Sequence, residues 1–124
     1  MAAVPGRGER ALLECYLKHG VDPNVADREG KTTLHGLNRW PNIDSARALL
    51  KYGADIDARD HVYEATPLAW AAMFGNRELA EFLLASGAKP NLPGDEPWST
   101  PLFWAKLKGH GEIAELLRRH GATH

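Results

Sequence analysis

The sequence predicts an all-α fold: a solenoid of stacked helix-turn-helix repeats joined by extended fingers. Three observations carry that prediction. The stretch Thr66–Ala88, TPLAWAAMFGNRELAEFLLASGA, returns as Thr100–Ala122, TPLFWAKLKGHGEIAELLRRHGA, and in degraded form as Thr32–Ala54, TTLHGLNRWPNIDSARALLKYGA. The opening threonines lie 34 residues apart twice. The closing Gly-Ala pairs begin at Gly53, Gly87 and Gly121, again 34 apart. A fixed period of this size means units that bury their apolar faces by stacking on one another.

Residues Met1–Gly8 carry Pro5, Gly6 and Gly8 and read as a loose lead-in. Arg10–Lys18 reads as a single helix stopped by Gly20. Its partner helix is missing, so the chain opens on half a repeat. Its single domain, residues 1–124, divides into a partial repeat at 9–26 and repeats at 27–59, 60–93 and 94–124.

Each full repeat reads helix, turn, helix, finger. Thr32, Thr66 and Thr100 can cap the first helices through their hydroxyls. Pro67 and Pro101 follow at the first helical position, where a missing N–H costs nothing. Leu34, Leu68 and Leu102 point into the core, and Gly75 and Gly109 end the first helices. Asn42 and Asn76 are N-caps for the second helices, with Asp44, Glu78 and Glu112 in their first turns. Gly20, Gly53, Gly87 and Gly121 end the second helices, and His19 and His120 sit just before two of them, where positive charge is favoured. Three residues before each closing glycine stand Leu17, Leu50, Leu84 and then Arg118. Because an outermost repeat needs a polar outer face, Arg118 and Arg119 are expected to cap the stack near a natural end at His124.

The first repeat departs most. Pro41 replaces the interhelical glycine and should end the first helix at Trp40. Gly36 stands where later repeats have Trp70 or Trp104, so Trp70 is expected to fill the space above it. The first finger, Asp27–Gly30, has the Asp-x-x-Gly of a tight turn. The second, Asp60–Ala65, is one residue longer and lacks glycine. The third, Pro93–Trp98, is as long and carries two prolines.

These residues resemble the ankyrin repeat, whose signature is T-P-L-H-x-A over about 33 residues. Here the signature reads TTLHGL, TPLAWA and TPLFWA, with Ala69 and Phe103 where the family has histidine. The resemblance covers about residues 10–124. It implies an ankyrin-repeat solenoid with β-hairpin-like fingers that binds a partner protein without catalysis. It also implies that the binding face is concave, lined by finger tips and the exposed ends of the first helices. Carried over copy by copy, the finger residues are Arg28, Glu29 and Lys31, then His61, Val62 and Glu64, then Asp95, Glu96 and Trp98. The helix-end residues are Arg39 and Trp40, Met73 and Phe74, and Leu107 and Lys108. Trp40, Met73, Phe74 and Leu107 form an apolar stripe where the family usually has surface positions, and aromatic anchors dominate binding energy. Trp70 and Trp104 are expected to pack between repeats, with partners for their indole N–H groups. His35 matches the family's structural histidine, whose ring bonds to backbone in the finger, and His110 its turn histidine.

Other function classes find little support. A metal site needs clustered ligands, and the six histidines are scattered through the chain. Cys15 aligns with Ala48, Phe82 and Leu116 and is expected to be a small core residue. Nucleophilic catalysis would need it, or a serine, paired with a base and an orienter, and Gly6-Arg7-Gly8 precedes no strand-to-helix phosphate loop, so neither catalysis nor a cofactor is expected. A net charge of −1 gives no field for nucleic acid or anionic membrane. One cysteine and no apolar leader point to the cytoplasm. A monomer is expected. The alternative is part of a larger protein that associates through its open N-terminal edge.

Overall fold

A computed structural model describes residues 15–37, 43–92 and 97–123. Residues 15–18 are helical (α1). They are followed by α2 (Thr33–Gly36), α3 (Ile43–Lys51), α4 (Pro67–Phe74), α5 (Arg77–Ala85), a 3-10 turn (Pro97–Ser99), α6 (Pro101–Leu107) and α7 (Gly111–Arg119). The helices stand in two rows. α2 packs on α4 and α4 on α6, while α3 packs on α5 and α5 on α7. Within a repeat, α4 pairs with α5 and α6 with α7.

The 34-residue period reappears as columns of buried side chains. Leu34, Leu68 and Leu102 form one, Ala46, Ala80 and Ala114 a second, and Leu49, Leu83 and Leu117 a third. Each buried leucine contributes roughly 1.5 to 3 kcal/mol, and each column runs from repeat to repeat, so neighbours stabilise one another. The helix boundaries have local causes. Thr66 and Thr100 accept from Ala69 N at 3.2 Å and Phe103 N at 3.3 Å, with Pro67 and Pro101 next in line. Asn76 accepts from Leu79 N at 3.1 Å. The four closing glycines all have φ between 93° and 100°, the left-handed region that ends a helix. His19 and His120 each donate Nδ1–H to the carbonyl four residues back, at 2.8 and 3.0 Å. Arg118 and Arg119 are exposed and lie near Glu115.

Two expectations are corrected. Cys15 is exposed. Its counterparts Ala48, Phe82 and Leu116 are buried or packed against the core. Trp70 does not fill the space over Gly36: a Cβ there would meet nothing within 4 Å. The two residues instead both line one open groove. The Asn42 cap and the Pro41 helix stop lie outside the described residues.

Among the described residues the fingers show one antiparallel bridge, Ala26 to Thr32. Asn24 and Asn91 tie finger bases to the following repeat. Asn24 donates to the Gly53 carbonyl at 3.0 Å and accepts from Asp55 N at 2.6 Å. Asn91 donates to the Gly121 carbonyl at 3.1 Å and accepts from Thr123 N at 2.9 Å.

Candidate functional site

The second finger touches the first through His61 N–H on the Glu29 carbonyl and the segment before α6 through the Ser99 hydroxyl on the Tyr63 carbonyl. Asp60 is fully buried. Its carboxylate accepts from Val62 N, Tyr63 N and Ala65 N at 3.0, 2.8 and 2.9 Å, and from the Trp70 indole N–H at 3.1 Å. A buried charge needs that number of donors. The finger has no glycine, and Glu64 takes the left-handed conformation in its place, with φ 55°. Its carboxylate pairs with Arg59 at 3.4 Å.

This knot carries an aromatic chain across the repeats. The Tyr63 ring meets Trp70 and Trp104 edge-on, with centroids 6.2 and 5.4 Å away. Trp70 lies 5.5 Å from Phe74, and Trp104 lies 5.5 Å from Phe103. The Trp104 indole N–H donates to Ser99 at 3.0 Å, and the Ser99 hydroxyl donates to the Tyr63 carbonyl. Both tryptophans therefore pack between repeats with their N–H groups satisfied.

The first finger closes the other end. Gly30 N–H donates to the Asp27 carbonyl at 2.9 Å, the turn its Asp-x-x-Gly pattern requires. Backbone N–H groups of Lys31 and Glu29 hold the Asp27 carboxyl below its usual range. A bond to Glu29 raises the Lys31 ammonium, which also stands 5.7 Å over the Trp70 ring. Between this finger, His35 and Trp70 opens a groove of about 430 Å³. His35 is fully buried and donates from Nε2 to the Ala65 carbonyl at 2.9 Å. Burial pushes its pKa down, against that hydrogen bond and the pull of Asp60.

The sequence-derived binding residues fall into three groups. Arg28, His61, Val62, Phe74, Trp98, Leu107 and Lys108 are exposed. Lys31, Glu64 and Met73 are half-buried; Lys31 and Glu64 are held in ion pairs, and Met73 packs against the core. Arg39, Trp40, Asp95 and Glu96 lie outside the described residues. The exposed apolar members are Val62 at 50%, Phe74 at 54%, Trp98 at 43% and Leu107 at 60%. Sequence reasoning passed over Tyr63, which links the two tryptophans. Its signal was the insertion itself, because the lengthened finger gains an aromatic residue there. His61 is more than a tip residue: its N–H donates to the Glu29 carbonyl at 2.6 Å, and its ring lies against Gly30.

Among the described residues no group of three or more His, Cys, Asp or Glu is placed to hold a metal. No helix there is long and apolar enough to cross a membrane.

Two helical rows, left-handed closing glycines and projecting fingers define a repeat scaffold. A family profile described as ankyrin repeats (3 copies) matches residues 1–94 and 42–124, and the chain belongs to the ankyrin-repeat family. Ankyrin repeats generally mediate protein–protein interaction. The chain is 42% identical over 86 residues to ankyrin repeat protein nuc-2 of Neurospora crassa. It is 33% identical over 87 residues to glycerophosphocholine phosphodiesterase gde1 of Schizosaccharomyces pombe. Those matches cover 68% and 70% of this chain, but only 8% of each relative. A third relative, protein PhlB of Serratia liquefaciens, is 37% identical over 88 residues, which are 68% of this chain and 39% of that protein.

Proposed function

We propose that this chain binds a partner protein through the face built from its finger tips and the ends of α4 and α6, and that it does so without catalysis. The observation that carries this is the exposure of Phe74 and Leu107, at 54% and 60%. They are the last residues of neighbouring stacked helices. Exposed apolar groups on adjacent repeats, backed by a packed aromatic chain, are suited to act as anchors. Val62 and Trp98 extend the apolar area toward the fingers, and Arg28, His61 and Lys108 supply a polar rim. Trp40, Arg39, Asp95 and Glu96 complete the face on sequence grounds.

The test is affinity capture from source-cell lysate with wild type and a Phe74→Ala/Leu107→Ala double variant of equal melting temperature. A specific partner retained by wild type and bound at least tenfold more weakly by the variant supports the face. A partner held equally by both removes it.

A second role, association through the N-terminal edge, is favoured by the exposure of Tyr16 at 51%, Val21 at 50% and Val25 at 61%. It requires a concentration-dependent mass in solution that Tyr16→Glu abolishes.

A further inference from the structure

The junction between the first and second repeats runs through a histidine whose two ring nitrogens have fixed and opposite roles. His35 Nε2 must carry a proton, because its partner is the Ala65 carbonyl. Nδ1 must lack one, because it accepts from the Thr32 backbone N–H at 3.1 Å. Thr32 Oγ1 also lies 3.0 Å from Nδ1. A second proton would set Nδ1–H against Thr32 N–H. The threonine hydroxyl could turn to accept it, but the backbone N–H could not. The cation would also be buried, since His35 has no exposed surface.

The surroundings only partly offset that cost. The Ala65 and Ala58 backbone, Asp60 of the second finger and Asp27 of the first all favour the cation, and burial outweighs them. Lys31, beside the same groove, is bound to Glu29 and opposes a second positive charge. From α4 the facing group is Trp70, edge-on at 5.7 Å and without a titratable proton.

The later repeats have no counterpart. Ala69 and Phe103 occupy the position of His35. Their junction is made by Ser99 to Tyr63, by the Tyr63 and Trp104 rings, and by Asn91 with the Gly121 carbonyl and Thr123 N, whereas the Asp57 carboxylate with Lys89 N at 3.1 Å ties α3's end of the first repeat to the second. His110 also crosses it by ring contact with Gly75, but makes no cap hydrogen bond. α2 has only four residues and little helix stability of its own, so apart from the ring bonds it and the first finger are held to the second repeat by buried Leu34 and by His61 N–H on the Glu29 carbonyl.

We propose that mild acid unlatches α2 and the first finger from the second repeat, by protonation of His35, while the second and third repeats stay stacked. The sign follows from linkage. A released His35 titrates near its ordinary value of about 6.5, and the latched ring titrates lower. As pH falls below about 6.5 the released state takes up a proton that the latched state refuses. The latch therefore weakens by up to tenfold per pH unit until the latched ring also titrates. Above about 6.5 its full strength is present.

Hydrogen exchange of the whole chain between pH 7.5 and 5, corrected for intrinsic rates, reads this directly. Protection over residues 26–37 should fall at least tenfold more than protection over 97–119. Nitrogen-detected ring spectra should show His35 as the Nε2–H tautomer at high pH, titrating together with that loss. His35→Gln should leave protection over 26–37 independent of pH. If that variant is unprotected even at pH 7.5, the coincidence of ring titration and protection loss in wild type decides alone. Equal loss in both regions, no loss in either, or a loss that follows His61 instead would overturn the proposal.

Discussion

Trp70 donates its indole N–H to the buried carboxylate of Asp60 at 3.1 Å, and that one bond joins the second finger to the helix that follows it. The same carboxylate gathers the three backbone N–H groups that shape the finger tip. Removing it leaves several buried donors without partners at once. Asp60→Ala should therefore destabilise the chain by about 3 kcal/mol or more. Trp70→Phe, which keeps the ring but removes one donor, should cost about 1 kcal/mol for the lost bond plus the smaller ring. Denaturant midpoints of the two variants check the order. Equal losses would show that the carboxylate acts through Trp70 alone.

Asn24 and Asn91 each donate to a closing-glycine carbonyl and accept from a backbone N–H beyond it. The equivalent residue at the middle junction is Asp57, which accepts from Lys89 N and has no N–H to offer the Gly87 carbonyl. Asp57→Asn should complete the pattern and stabilise the fold by about 0.5 to 1.5 kcal/mol. A thermal melt should rise by roughly 2 to 6 °C. An unchanged or lower midpoint would mean that the charge at this site matters more than the missing donor.

Glu64 holds φ at 55°, a conformation in which a β-branched side chain is strained. Glu64→Val should cost about 1 to 2 kcal/mol, whereas Glu64→Gly should be near neutral because relief of strain offsets the added freedom of the unfolded chain. Chemical denaturation of the pair checks this. Equal effects would place the loss in the Arg59 ion pair.

The Gly75 backbone faces the His110 ring so closely that a Cβ would stand 2.6 Å from Cε1. Its φ of 74° adds strain for any side chain. Gly75→Ala should cost about 2 kcal/mol. In a double-mutant cycle with His110→Ala, the clash should be relieved while the backbone strain persists, so the coupling should be about 1 kcal/mol. Strict additivity would show that the two residues do not touch in solution.

What the sequence determined by itself was the repeat frame. A 34-residue period sets the helices, their caps and the buried columns, because each depends on residues a few positions apart and on a face that only stacking can cover. Thr66, Pro67 and Asn76 act through neighbours in sequence, and Leu34, Leu68 and Leu102 follow from periodicity. The indole partners were foreseeable as a need, because a buried N–H must be satisfied, but Asp60 and Ser99 as the groups that meet it were not. Tertiary structure alone decided those pairings, the left-handed Glu64 that replaces a finger glycine, the exposure of Cys15 and the open groove over Gly36. It also separated Phe74 and Leu107, which face outward, from Met73, which turns to the core. The indole pairings span only 10 and 5 positions, but they depend on how each finger folds back on its own helix, and the exposures depend on what neighbouring repeats place opposite each residue; no periodic pattern encodes either.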